Sequence, residues 1–146
     1  MPASGEGADA ADYDRWREWL SRGEETGRRI YGPQFDQLRR NVAALHPALD
    51  LWIVVDGYGR TISRPALDMT RRELCSIAML VPQNAPRQLH SHLRGALNVG
   101  ATPDQVAAVL ALAGEVGLPG SRVDAARALW HDFAASANGQ RPTANG

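Results

Sequence analysis

Apolar residues recur at three- and four-residue intervals along almost the whole chain, without strict apolar–polar alternation; this period predicts helices and no strands. Tyr13, Trp16 and Leu20 mark a first short helix, with Arg15, Arg17 and Glu18 outward and Gly23 as its stop. Phe35, Leu38, Val42 and Leu45 mark a second helix. It closes at His46-Pro47, because the residue before a proline is pushed out of the α region. Pro47 suits the first turn of a third helix, about 48–59, in which Leu51, Trp52, Val54, Val55 and Tyr58 make much of the circumference apolar. Such a helix is expected at the centre of the fold or in a contact between subunits.

Thr70-Arg71-Arg72-Glu73 fits a capping box, in which the hydroxyl takes one free N–H and the carboxylate reaches back to another. Leu74, Ile77, Ala78 and Val81 follow as an inner stripe, ending at Pro82. Leu89, Leu93, Ala96 and Leu97 mark a fifth helix, with Gly100 placed as the left-handed residue beyond its end. Thr102-Pro103-Asp104 opens a sixth with a capping hydroxyl, a proline at the first position and an acid facing the helix dipole. It runs to about Val116; Gly117-Leu118-Pro119-Gly120 then breaks the chain, and Val123, Ala126, Trp130 and Phe133 stripe a seventh. Residues 1–9 and 136–146 are small, polar and without apolar period, so both read as disordered tails. The expected architecture is all-α, a compact bundle of about seven short helices forming one domain over 10–135.

Length supports that expectation, since 146 residues suffice for one core. Charge narrows the partners: 16 basic and 16 acidic residues leave no net field to hold nucleic acid or an anionic membrane. All the basic residues are arginine, and without lysine Schiff-base chemistry is excluded. The longest apolar runs, such as Val106 to Ala113, fall far short of the roughly 20 residues of a spanning helix. The opening residues lack the basic flank and apolar core of a signal segment, so a cytoplasmic protein is expected. The single Cys75 excludes an internal disulfide and is read as a buried structural cysteine; four scattered histidines suggest no metal site, and no cofactor is expected.

The chemistry concentrates between Arg64 and Thr102. His92 lies three residues after Leu89 and four before Ala96, which puts an imidazole on an apolar stripe. Glu73, four residues before Ile77, borders the inner stripe of the preceding helix, and a short loop makes the two helices neighbours. A glutamate beside a histidine in a half-buried cleft is a proton donor and acceptor pair. Spacing leaves plainer readings open, with Glu73 only the carboxylate of its capping box and His92 a core histidine bonded to a carbonyl. Arg94 points about 200° away from His92 and is a candidate for substrate, a neighbouring subunit or a structural carboxylate. Arg71, Arg72 and Arg87 stand at helix starts, where a cation opposes the dipole; the placement suits an anionic substrate, although exposed arginines are usually just solvated. Tyr58, Trp52 and Trp130 read as core or interface before active-site wall, with Tyr58 kept as a substrate-binding candidate.

Ser63-Arg64-Pro65 with Leu67-Asp68, then Thr70 through Leu74, then His92 through Asn98 with Gly100-Ala101-Thr102, together resemble the carboxymuconolactone decarboxylase family. Its decarboxylases and alkylhydroperoxidase D-like proteins share a helical fold, and the resemblance covers roughly residues 24–130. In the peroxidase branch a cysteine pair precedes the histidine by seven and four positions; here those positions hold Ala85 and Gln88, so the chain looks like the decarboxylase side. The family's decarboxylases commonly carry acidic residues where Arg87-Gln88 stand, and tryptophans where Tyr58 and Ile62 stand. The resemblance implies a cofactor-free lyase acting on a small carboxylated lactone or oxygenated ring. His92, assisted by Glu73, would move the proton, with Arg94, Arg72, Arg87 and Tyr58 as candidates for holding the substrate. It also implies a homotrimer or homohexamer. Isomerisation, cyclisation or dehydration on the same scaffold, peroxide reduction through Cys75, and a non-catalytic binding module are the alternatives.

Overall fold

The computed structural model describes residues 10–139. Of the expected tails, residues 1–9 and 140–146 lie outside the described residues, whereas 136–139, expected to be disordered, continue the last helix. Seven α-helices are present and no strand occurs among the described residues, so the fold is all-α. The chain divides into two compact units between Met69 and Thr70, each described here by itself.

The first unit contains α1 (Ala10–Tyr31), a single 3₁₀ turn (Gly32–Gln34), α2 (Phe35–Leu45) and α3 (Pro47–Trp52), which runs directly into a π-helical segment (Ile53–Ile62). Helix α1 does not stop at Gly23 as its sequence suggests. A Cβ at Gly23 would stand 2.0 Å from the Val54 carbonyl oxygen, and one at Gly59 would stand 1.9 Å from that of Trp19. These glycines therefore mark where α1 and the π-helical segment touch backbone to backbone. The helix tolerates a glycine costing about 1 kcal/mol because the close approach requires it. Gly27 has a similar role, since its missing side chain leaves room for the Phe35 ring. The third helix, expected as one element, is thus two, with Val54, Val55 and Tyr58 buried while Trp52 remains 59% exposed.

Phe35 and Ile30 are fully buried, and Tyr58 meets the rings of Tyr31 and Phe35 edge-on at 5.8 and 6.0 Å. His46 is extended (φ −167°, ψ 134°), as a residue before proline should be, and ends α2. Its Nδ1 also accepts the Ala48 N–H at 3.1 Å, so the imidazole caps α3.

The second unit holds α4 (Met69–Gln83), α5 (Pro86–Asn98), α6 (Pro103–Glu115) and α7 (Gly120–Gly139), with α4 beginning one residue before the division. Ile77 and Val81 of α4, Leu89, Leu93 and Ala96 of α5, and Val106 and Leu110 of α6 build its core, with Val123 and Ala126 of α7. The junction of α5 and α6 follows the sequence closely. Gly100 takes φ +102°, its N–H donates to Leu97 O at 3.2 Å, and Ala101 N–H donates to Ala96 O at 2.8 Å, a Schellman ending. Thr102 Oγ1 then accepts the Gln105 N–H at 3.2 Å while Gln105 Oε1 accepts the Thr102 N–H at 2.9 Å, a complete capping box. Helix α7 continues to Gly139, past the limit at 135, because Ala134 and Ala135 favour helix and nothing there stops it.

Candidate active site

The capping box expected at the start of α4 does not form. The helix begins at Met69, so Thr70 is already its second residue rather than its cap. The Thr70 hydroxyl instead donates to the carbonyl of Val99 at 2.8 Å, at the end of α5. Oε2 of Glu73 lies 2.8 Å from Nδ1 of His92, also on α5. Both members of the expected capping box are thereby diverted to the neighbouring helix. Residues three apart share a helix face, and in α4 that face is the one turned to α5. Val99 O is one of the carbonyls that the end of α5 leaves without an intrahelical partner.

Glu73 is 3% exposed, whereas the His92 side chain keeps 26% of its surface. A carboxylate this deep needs a donor to offset its desolvation, and the imidazole supplies one. With Glu73 ionised, its carboxylate only accepts, so the pair is then made by the Nδ1–H and the ring is held in one tautomer and orientation. Nε2 is then the atom left to take up or deliver a proton, the arrangement by which a carboxylate orients a catalytic imidazole. Leu89, Leu93 and Ala96 are buried on α5 around His92, and Ile77 is buried one turn beyond Glu73. Among the described residues no buried side-chain nitrogen or oxygen is without a hydrogen-bond partner.

The other candidates take varied places. Arg94 places its guanidinium carbon 5.2 Å over the ring of Phe133 on α7, and His90 meets the same ring edge-on at 5.3 Å. Its stem and charge thus serve the α5–α7 packing. Arg72 is half-buried on α4, its carbonyl accepting the Ser76 hydroxyl at 3.0 Å; Arg87 is exposed in the first turn of α5. Tyr58 belongs to the first unit, where its hydroxyl donates to that of Tyr31 at 3.0 Å. Trp130 stacks on Phe133 at 5.8 Å. The expectation of a buried Cys75 is corrected, because the thiol is exposed. Cys75 stands two residues from both Glu73 and Ile77, hence about 200° from each, and the face that buries them turns it outward.

Local spacing marks Thr70 only as a cap for its own helix. The signal that would have assigned it to α5 is its spacing, since it precedes Glu73 by one turn on the same face. Among the described residues no group of three histidine, cysteine or acidic side chains is arranged to hold a metal ion, and no helix is long and apolar enough to cross a membrane.

Similarity to known proteins centres on the same region. The profile of the carboxymuconolactone decarboxylase family matches residues 47–132. Over 118 residues the chain is 36% identical to peroxisomal protein 2 of Schizosaccharomyces pombe, which spans 79% of this chain and 54% of that protein. Over 85 residues it is 35% identical to peroxisomal protein 2 of Saccharomyces cerevisiae, covering 58% of this chain and 30% of that one. The chain therefore spans about half or less of the length of these relatives. Their names overturn the expected cytoplasmic placement, since both refer to the peroxisome. The family match takes in more than half of the chain, including the Glu73–His92 pair and the Thr70 and Gly100 positions that frame it, and the chain belongs to the carboxymuconolactone decarboxylase family.

Proposed function

We propose that this chain is a cofactor-independent lyase of the decarboxylase type, acting on a small carboxylated lactone or oxygenated ring by acid/base catalysis at His92. The observation that carries the reading is the 2.8 Å bond between buried Glu73 and part-exposed His92. Family membership supports the reaction class, and the lack of lysine leaves no side-chain amine to form an imine with the substrate. In the step proposed, the bond to the substrate carboxylate breaks and carbon dioxide departs. The electron pair stays on the ring carbon, delocalised into a conjugated carbonyl as an enolate. The His92 imidazolium, its Nδ1–H on Glu73, then delivers the Nε2 proton to that carbon and is recharged from solvent. Arg72 and Arg87 are the candidates to orient the carboxylate and stabilise the enolate. The exposed Leu45, Leu49 and Trp52 support a homo-oligomer, a trimer or hexamer, as the working form.

The test is carbon dioxide release from a panel of carboxylated lactones by the wild type, His92→Ala and Glu73→Gln. Loss of a general acid lowers the rate by roughly 10²–10⁴-fold, and that is the expectation for His92→Ala. An undiminished rate in His92→Ala would sink the proposal. Product analysis separates decarboxylation from isomerisation, cyclisation or dehydration by the same pair.

A further inference from the structure

At the end of helix α5, three carbonyls accept identified donors. Those of Ala96 and Leu97 accept the N–H groups of Ala101 and Gly100, and that of Val99 accepts the hydroxyl of Thr70. The donor that completes this set comes from α4, one turn before Glu73. Helices α4 and α5 are thus bridged by two hydrogen bonds, Thr70 to Val99 and His92 to Glu73, each 2.8 Å long. Their feet are three residues apart on α4 and seven apart on α5, which corresponds to roughly 4.5 and 10.5 Å of helix rise. Added to the non-directional packing of Ile77 and Val81 on Leu89 and Leu93, two separated attachments set both the slide and the rotation of one helix on the other, where a single bond sets only one point. The direct connection, Asn84-Ala85, lies at the opposite end of α4 and restrains that end only.

We infer that Thr70 is a positioning residue for the Glu73–His92 pair: by capping the end of α5 from α4 it holds the carboxylate in register with Nδ1 of His92. The packing is close enough for this, since a Cβ at Gly100 would stand 3.8 Å from Thr70 Oγ1. Register matters here because Glu73 is buried and a slip of α4 leaves its carboxylate without the imidazole donor. The effect on rate rests on the acid/base reading above; the effect on the hydrogen bond does not.

The test replaces the hydroxyl by a methyl group of the same size, Thr70→Val, with Thr70→Ser as the conservative rescue. In ¹⁵N-histidine-labelled protein, the His92 Nδ1–H is assigned by its disappearance in His92→Asn, and its exchange with solvent is followed. The wild type and Thr70→Ser are expected to show the protected proton. In Thr70→Val, with helix content retained by circular dichroism, its exchange is expected to accelerate on the order of tenfold or more. Activity, where the wild type turns over, is expected to lose kcat on the order of tenfold with KM held, as misplacement of a catalytic group does. A wild-type Nδ1–H signal in Thr70→Val overturns the inference. Should Thr70→Val fail to reach native helix content, Thr70→Ala is read in the same way, and a wild-type signal there overturns it equally. A wild type without turnover refutes the lyase reading and leaves the spectroscopic test intact.

Discussion

The 2.8 Å bond from His92 to Glu73 joins a carboxylate sealed from solvent to an imidazole with a quarter of its side chain exposed. The two partners therefore bear unequal risks: an orphaned Glu73 stays buried as an uncompensated charge, whereas an orphaned His92 can turn to water. Substituting His92→Ala is expected to cost about 3 kcal/mol in urea unfolding at neutral pH, the lower end for breaking a buried pair because one partner is part-exposed. Adding Glu73→Gln to that variant is expected to return about 1 kcal/mol or more, because the stranded charge is removed. Additive losses across the four proteins of this double-mutant cycle would show that the two side chains do not depend on each other.

A backbone-to-backbone helix contact yields a second prediction, at Gly23 and Gly59. Their would-be Cβ atoms overlap the main-chain carbonyls of Val54 and Trp19, which cannot swing aside as side chains can. Gly23→Ala and Gly59→Ala are each expected to cost about 3 kcal/mol, at the upper end for overpacking. Gly57→Ala is the control, since its Cβ would meet only Ile53 at an ordinary 3.7 Å. There the alanine is expected to be neutral or to stabilise by about 0.5 kcal/mol through the unfolded chain. Thermal melts of the three variants check the contrast, and equal shifts would refute it.

What the sequence made legible was whatever depends on neighbours along the chain. The stop at His46-Pro47, the left-handed Gly100 and the cap at Thr102 are local backbone chemistry, and each stands where its residues place it. Gly23 and the Thr70–Glu73 run failed for one shared reason. Each has a valid local reading, as a helix stop and as a capping box, and in each the partner is supplied by a different helix. The pairing of Glu73 with His92 was legible as a possibility, because both lie on inward faces of helices joined by a short loop; their 2.8 Å separation required tertiary structure. Arg94 was legible in direction, turned away from His92, but its seat over Phe133 depends on how α7 packs.

Arg39 is tied to Asp50 through Nε at 3.0 Å and Nη2 at 2.8 Å, a two-point fork, and to Glu24 through Nη1 at 2.9 Å. The hydrogen bond to Asp50 is the main influence raising the guanidinium pKa above its ordinary value; burial opposes it, and the charges of both acids add to it. A group whose pKa rises on folding contributes stability below its unfolded-state value and loses it only as pH climbs through the folded value. For Arg39 that loss lies beyond the ordinary arginine range. Arg39→Met is therefore expected to cost about 1.5–3 kcal/mol, with the gap from wild type unchanged between neutral pH and about pH 10, where arginine is still fully charged. Urea unfolding at both pH values checks this, and a gap that closes by pH 10 would refute it. Arg39→Lys keeps the charge but loses the fork, and is expected to recover less than half of the loss.

Cys75 supplies the last prediction, because its exposure sets it apart from Glu73 and Ile77, which flank it at two residues on either side and are both buried. A thiol on the outer face of α4 is open to reagent without any unfolding. Ellman's reagent is expected to label one thiol per native chain, at a rate close to that of the same protein in urea and with circular dichroism unchanged. Cys75→Ser is expected to fold with a stability within about 0.5 kcal/mol of wild type, as exposed substitutions do, and to keep the carbon dioxide-releasing activity proposed for His92. A single thiol cannot both attack a peroxide and resolve the product, so loss of activity in Cys75→Ser would require an external thiol in the reaction and would count directly against proton transfer at His92 as the working chemistry. Labelling that waits for urea would place this face of α4 under another surface and refute its exposure.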